Sequence, residues 1–376
     1  MSQALSPRSG PRMTRIVFEE DHFLKIIPVV LDPATTEPHR RAVAAFFAHD
    51  EPDFLGWCGR LQQRLGGLYP AEIVFAADGA ELAEKIADAD GVVVESLRID
   101  AATLSRARRL AIVQKFGTIA TNIDVAACAA RGVAVATLRR RVNIAVAEQA
   151  CAFLLALAKR IGELNGLVEE KALRVAGYDI RPRQSRYAGY SNYAGITGLK
   201  TVFGATLGII GLGEIGREVA HRMHAFGMDI VYFQRTRLAG AAEAELGAKH
   251  LPLDELLGRA DYILVQLPLN GMTRGLIGRD QLARLKPGAV LVDVARAELI
   301  DRHALIEALA AGRLGGFGLD VLYSEPADPS EPLLAYRGRN VILMPHTAIG
   351  ARANALHDIE ALCDSLRRGI TGKRSA

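Results

Sequence analysis

The chain has 376 residues, 50% hydrophobic and 23% charged, enough at about 150 residues per domain for two domains with substantial cores. That composition excludes a disordered chain, a collagen-like fibre and a coiled coil. Forty-six basic against 42 acidic residues leave +4, spread along the chain with only local clusters such as Arg139-Arg140-Arg141, so charge gives no reason to expect nucleic acid or a membrane surface as partner.

Residues 1–15 are basic and rich in Ser and Pro but lack an apolar core, which is not a secretory signal; they read as a disordered leader, or as a start placed too early before Met13. Beyond them, apolar runs alternate with helical patterns, the signature of parallel sheets flanked by helices. Strands are expected at Lys25–Leu31, Glu72–Phe75, Gly91–Val94, Leu110–Val113 and Val133–Val135, with helices such as Ala80–Ala87 and Asp124–Ala130, the latter stopped by Gly132. Asn143–Ile161 reads as one long apolar helix, a natural spine between two sheet-forming regions. Its most apolar part, Ala150 to Ala158, is far shorter than the ~20 residues a membrane span needs, so no membrane role is expected.

Gly177–Gly198 breaks the alternation, with Tyr178, Tyr187, Tyr190 and Tyr193 set among Arg181, Arg183 and Arg186. Aromatic residues with Arg suit a subunit interface, and without a wider basic surface that reading is preferred to base stacking. Strands recur at Thr206–Ile210, Asp229–Phe233, Tyr262–Gln266, Ala289–Val294, Gly315–Asp320 and Val341–Met344. The four cysteines, Cys58, Cys128, Cys151 and Cys363, form no CxxC pair; neither a metal site nor a disulfide framework is expected, and a reducing, cytoplasmic setting is.

The first motif with chemistry is Gly211-Leu-Gly213-Glu214-Ile215-Gly216. It follows an apolar strand, opens an amphipathic helix, and precedes a second strand ending near Gln234, 18 residues past Gly216. In that context it predicts a dinucleotide site: Gly211 for the tight turn, Gly213 for close approach of a pyrophosphate, Gly216 for helix–strand packing. The N–H groups and dipole at the start of the helix favour the phosphates. Where an acidic residue would accept from a ribose 2′-hydroxyl, the chain has Gln234, then Arg235-Thr236-Arg237. Arginines there suit a 2′-phosphate, so NADP is the expected cofactor, with Arg235 the main ligand; NAD is the alternative if Gln234 simply binds the hydroxyl.

With these motifs in place the sequence resembles the D-isomer-specific 2-hydroxyacid dehydrogenase family. Matching blocks occur at Asn143-Ile-Ala-Val-Ala-Glu148, Ala260-Asp261 through Leu267-Pro268-Leu269, Arg274-Gly-Leu-Ile, Leu285-Lys-Pro-Gly288 through Val292-Asp-Val-Ala-Arg296, Gly318-Leu-Asp320-Val through Glu325-Pro326, and Pro345-His346-Thr-Ala348. They cover most of residues 90–355 in the family's order; the first 90 match only in general layout.

The resemblance implies an α/β protein of two doubly wound, Rossmann-like parallel-sheet domains with the active site in the cleft between them. The substrate domain would be 1–142 completed by 347–376, and the dinucleotide domain 143–346. A homodimer and a small-molecule substrate are also implied.

The implied reaction is hydride transfer between a nicotinamide cofactor and a D-2-hydroxy acid or 2-oxo acid. Arg296 would hold the carboxylate and polarise the carbonyl. His346 would be the acid–base, protonated for reduction and neutral for oxidation, with Glu325 as its partner. A carboxylate at 325 argues for a hydroxy/oxo-acid couple, since the formate dehydrogenase branch carries Gln there. Asp320 would bind the nicotinamide carboxamide, with Leu267, Pro268, Thr273, Val294, Ala295 and Ala348 lining the cofactor wall. The substrate loop would be Lys115, Phe116, Gly117 and Thr118.

Departures from the family pattern put the usual small substrates in question: Ile119 stands for the second loop glycine, and Asp293 and Ala297 for the usual Asn and Gly beside Arg296. The competing readings are a dinucleotide-sensing, corepressor-like binding protein, and the same chemistry on a donor such as phosphite.

Overall fold

The computed structural model describes residues 12–180 and 191–374. The chain divides into two compact units, one of residues 1–142 with 350–376, the other of residues 143–349.

The first unit holds a five-stranded parallel sheet: β1 (Thr14–Glu19), β2 (Ala71–Ala76), β3 (Gly91–Val94), β4 (Ile112–Lys115) and β5 (Ala134–Ala136), in the order β2-β1-β3-β4-β5. This is a doubly wound order whose switch point lies between β1 and β3. Central strands covered on both faces read as unbroken apolar runs, and all four residues of Gly91–Val94 are buried. The C-terminal helix Ala353–Arg374 packs against β4, with the Ser365 hydroxyl donating to Gln114 Oε1 at 2.5 Å and Lys373 to the Leu110 carbonyl at 2.7 Å. From that helix the buried Asp358 accepts from the N–H groups of Arg141 (2.7 Å) and Val142 (3.2 Å), satisfying donors that a helix start leaves over.

Two expectations for this unit are corrected. Thr14 and Arg15, assigned to a leader, begin the first strand; β1 lies inside the sheet, where Ile16, Val17 and Phe18 are fully buried. Lys25–Leu31 is not a strand. Leu24–Ile26 forms a 3-10 turn running into the α-helix Ile27–Leu31, whose five residues are all buried. A short apolar run has no period that separates strand from buried helix, and Pro28, pre-set for a first helical turn, decides for helix.

The second unit holds seven parallel strands: β6 (Thr206–Ile210), β7 (Asp229–Phe233), β8 (Ala248–His250), β9 (Tyr262–Val265), β10 (Ala289–Asp293), β11 (Leu314–Leu319) and β12 (Val341–Leu343). Their order is β12-β11-β10-β9-β6-β7-β8, the dinucleotide-fold arrangement with its switch point between β6 and β9. Strand β8, whose sequence is AKH, carries too little apolar signal to be expected.

The long helix runs Arg141–Ala158, and the boundary between the units falls within it. It is long and apolar enough to cross a membrane by composition, yet half of it is buried in the protein. Phe153 and Leu157 lie over Gly318 of β11, where a Cβ would come 3.0 Å from the Phe153 ring, so the glycine lets the helix seat on the sheet.

Candidate active site

In the second unit the turn after β6 is tied on both sides: Gly211 N–H donates to Phe233 at 2.9 Å, and Gln266 N–H to Ile210 at 2.8 Å. Gly211 has φ +102°, and a Cβ there would sit 2.2 Å from the Gln266 carbonyl oxygen. At Gly216 a Cβ would sit 2.4 Å from the Gly211 carbonyl oxygen. Both positions therefore require glycine. At Gly213 a Cβ would meet nothing within 4 Å, so the backbone there borders open space rather than protein. The helix Glu214–Ala225 starts at this point, and its Arg217 N–H donates to Gly213 at 2.9 Å. Open space at Gly213, in front of a helix start, fits a dinucleotide pyrophosphate. Ile215 is half-buried, and Glu214 accepts from the Asn143 amide at 2.8 Å.

Gln234 directly follows β7, and its amide donates to the Thr236 carbonyl at 2.6 Å. Arg237 makes a two-pronged ion pair with Glu243 at 2.9 and 2.8 Å, and the Tyr232 hydroxyl donates to the same carboxylate at 2.8 Å. The Arg237 guanidinium, with Tyr232, holds the Glu243 carboxyl down at about 2. Arg235 is exposed and makes no hydrogen bond or ion pair among the described residues. Leu267 and Pro268 follow β9, and the Thr273 hydroxyl donates to the Pro268 carbonyl at 2.7 Å, closing the turn.

The residues expected to do chemistry follow three neighbouring strands, β10, β11 and β12, at the carboxyl ends where open α/β sheets bind ligands. Val294 and Ala295 are buried behind Arg296, whose exposed guanidinium donates from Nη1 to the Ala295 carbonyl at 2.6 Å. Glu325, in the loop after β11, lies with Oε2 2.8 Å from His346 Nδ1. That contact leaves Nε2 as the nitrogen not engaged by Glu325.

His346 has φ +55°, a left-handed conformation that costs a non-glycine residue about 1–3 kcal/mol. Asp320 enforces it. Its backbone carbonyl accepts the His346 N–H at 2.9 Å, and its two carboxylate oxygens accept the N–H groups of Thr347 (3.0 Å) and Ala348 (3.1 Å). Asp320, expected from the resemblance to face the nicotinamide, is thus fully buried and holds the backbone that presents His346.

Sequence reasoning missed this tie, because carboxylate–backbone bonding leaves no pattern beyond the Asp itself. It noted Asp293 only as a departure; the side chain is fully buried, with Oδ1 accepting from Ala295 N–H at 2.7 Å.

In the first unit, Lys115 ends β4 and is buried, its ammonium donating to the Glu95 carbonyl. Phe116 lies under the guanidinium of Arg140, 4.1 Å from its ring centre, and Arg140 pairs with the Glu95 carboxylate at 3.1 Å. Gly117 accepts from the Leu138 N–H at 2.8 Å, and Thr118 is exposed. Burial pushes the Glu95 carboxyl above its ordinary range, with Arg140 opposing. Glu19, at the end of β1, accepts from the N–H groups of Glu95, Ser96 and Leu97 at 2.7–2.9 Å, fixing the loop after β3. Arg140 and Glu95 were not expected here from sequence; they stand 45 positions apart until the fold brings them together.

The tyrosine segment is described only in part. Tyr187, Tyr190, Arg181, Arg183 and Arg186 lie outside the described residues. Tyr178 donates to Glu163 at 3.1 Å, and Tyr193 is partly exposed.

Residues 151–348 match the family described as D-isomer specific 2-hydroxyacid dehydrogenase, NAD binding domain. The chain is 34% identical over 284 residues to the glyoxylate reductase of Korarchaeum cryptofilum, spanning 75% of this chain and 80% of that protein. It is 37% identical over 275 residues to the glyoxylate reductase of Thermococcus gammatolerans, spanning 72% and 78% respectively. Among solved structures, TT0316 from Thermus thermophilus is 28% identical and superposes with a TM-score of 0.50, covering 96% of this chain and 97% of that one.

Proposed function

The chain belongs to the D-isomer specific 2-hydroxyacid dehydrogenase family, and on that premise we propose that His346 is its acid–base, Arg296 its carboxylate anchor and Glu325 the partner that orients the histidine. It is an oxidoreductase that uses a nicotinamide dinucleotide to interconvert 2-hydroxy and 2-oxo acids. The relatives are enzymes of this class, so a sensing role without turnover is not favoured.

The bound dinucleotide supplies the hydride for reduction and accepts it in oxidation. The chain must supply the rest. In reduction the carbonyl oxygen gains charge as the hydride arrives at C2, and a proton must reach that oxygen. His346 can give it from Nε2, because Glu325 occupies Nδ1. Arg296 offers a planar fork to the carboxylate and a positive charge beside the developing alkoxide. The observation that carries this reading is the 2.8 Å contact of His346 with Glu325 on a histidine held at φ +55°. A strained backbone persists where its surroundings over-determine it, and such residues gather at functional sites.

For the substrate, the names of the relatives make glyoxylate the first 2-oxo acid to test. Ile119 in place of a loop glycine extends the test to pyruvate, hydroxypyruvate and phenylpyruvate. With the best of these, His346→Ala is expected to lower kcat about 10²–10⁴-fold with little change in dinucleotide affinity, measured by steady-state rates and cofactor titration. Near-full activity in the variant would remove His346 from this role.

For the cofactor we infer a preference for NADPH. Arg235 is the supporting residue: it is exposed and unengaged among the described residues, whereas Arg237 is committed to Glu243. Charge-assisted bonds from Arg235, helped by Thr236, are worth about 1.5–3 kcal/mol, roughly 10–150-fold in affinity. Comparing kcat/KM for NADPH and NADH in the wild type and in Gln234→Asp checks this. The wild type should favour NADPH and the variant should shift toward NADH; an NADH preference in the wild type would sink the inference.

We also propose a homodimer built on the second unit. Supporting it, Ile161, Val168, Val175, Leu199 and Phe203 all lie exposed within residues 161–203, with Val175 82% and Phe203 77% accessible. Large apolar side chains left exposed in one region mark association surfaces. Light scattering at micromolar concentration should give twice the chain mass, and Val175→Glu with Phe203→Glu should return it to one; a wild-type monomer would contradict the proposal.

A further inference from the structure

Asp293 is the last residue of β10, three positions before Arg296, and no part of it is accessible. The N–H groups of Ala295 and Arg296 face its carboxyl, the former at 2.7 Å from Oδ1. Its second oxygen, Oδ2, is buried and has no hydrogen-bond partner among the described residues. A buried carboxylate with one oxygen unsatisfied pays a desolvation cost that protonation relieves. Burial accordingly pushes the Asp293 carboxyl up to about 8, with the two N–H groups and Arg296 opposing and Glu298 adding to the rise.

The groups that face it are few. Arg296 and Glu298 belong to its own turn. From the adjacent strand, Asp320 donates its N–H to the Asp293 carbonyl at 3.1 Å, and its carboxylate is committed to Thr347 and Ala348. Tyr323, in the loop that follows, gives its hydroxyl to the Ile300 carbonyl at 2.9 Å. Arg296 is the cation that opposes the rise at Asp293, and its side chain already folds back over this turn through Nη1 to the Ala295 carbonyl.

We propose that Asp293 is a positioning residue for Arg296: protonated, it leaves the guanidinium to the substrate carboxylate, and ionised, it draws the guanidinium back and weakens substrate binding. The inference rests on Arg296 as the carboxylate anchor. Its sign follows from linkage. Substrate binds the form in which Asp293 carries its proton, so affinity is full at neutral pH and falls above about 8, approaching tenfold per pH unit. The loss lies in KM, because a saturating substrate holds Arg296 and keeps the proton on Asp293.

The oxidation direction isolates this effect, since His346 must be neutral to accept a proton and rising pH cannot disable it. The probe is the 2-hydroxy acid matching the best 2-oxo acid of the panel above. Its KM and kcat are measured from about pH 6 to pH 10 with saturating cofactor, in the wild type, Asp293→Asn and Arg296→Lys. The wild-type KM should rise about tenfold per unit above about pH 8, and the Asp293→Asn KM should stay flat while kcat follows the same course in both. An Asp293→Asn enzyme that keeps the alkaline rise overturns the proposal. An Arg296→Lys enzyme with an unchanged KM at neutral pH instead overturns the anchor role on which it rests.

The wild type alone gives a second reading that does not depend on the variant folding. Binding of oxamate, an unreactive carboxylate, to the cofactor-loaded enzyme should weaken on the alkaline side with the same midpoint. Affinity that stays level from about pH 7 to pH 9.5 overturns the proposal.

Discussion

The buried residue Asp320 fixes the turn after β12 to the end of β11: its backbone carbonyl accepts the His346 N–H, and its carboxylate accepts the N–H groups of Thr347 and Ala348. These bonds hold the backbone on both sides of a histidine at φ +55°, whose ring meets Glu325. Parallel strands supply the frame: β10, β11 and β12 lie side by side, so Arg296, Glu325 and His346 leave the sheet at one edge and in one direction. Sheet order explains why residues as much as 50 positions apart in sequence follow the same ends of neighbouring strands.

The same sheet separates two tasks. Its switch point, between β6 and β9, carries the glycine turn, where Gly211 and Gly216 admit no side chain and Gly213 faces open space. The strands on the far side of β9 carry Arg296, Glu325 and His346 after their carboxyl ends. The glycine turn and the positions of Arg296, Glu325 and His346 are therefore carried by different strand ends of one sheet.

Much of this was legible in the residues. Thr206–Ile210 and Asp229–Phe233 appear as strands with the expected bounds, because buried parallel strands are continuous apolar runs between clear turns. The glycine turn was legible because steric exclusion leaves only one residue type there. Lys25–Leu31 misled because its run of apolar residues suits a buried helix equally well, and β1 was hidden in a segment whose neighbours look like a leader. Arg140 stacking on Phe116 and pairing with Glu95 joins residues from three segments, which no local pattern reports. That both carboxylate oxygens of Asp320 accept backbone N–H groups from the turn after β12 leaves no local pattern and needs coordinates.

The central claim, that this fold moves a hydride between a nicotinamide and C2 of a 2-oxo acid, is tested most directly by isotope transfer. A reduced dinucleotide carrying two deuterium atoms at C4 of the nicotinamide is turned over with glyoxylate and the other 2-oxo acids in ordinary water, and the products are read by mass spectrometry and NMR. The account predicts one deuterium at C2 of the hydroxy acid, with none entering C2 when unlabelled cofactor is used in heavy water. Product without label at C2 from the deuterated cofactor, or no product from any 2-oxo acid while the dinucleotide is bound, would contradict it.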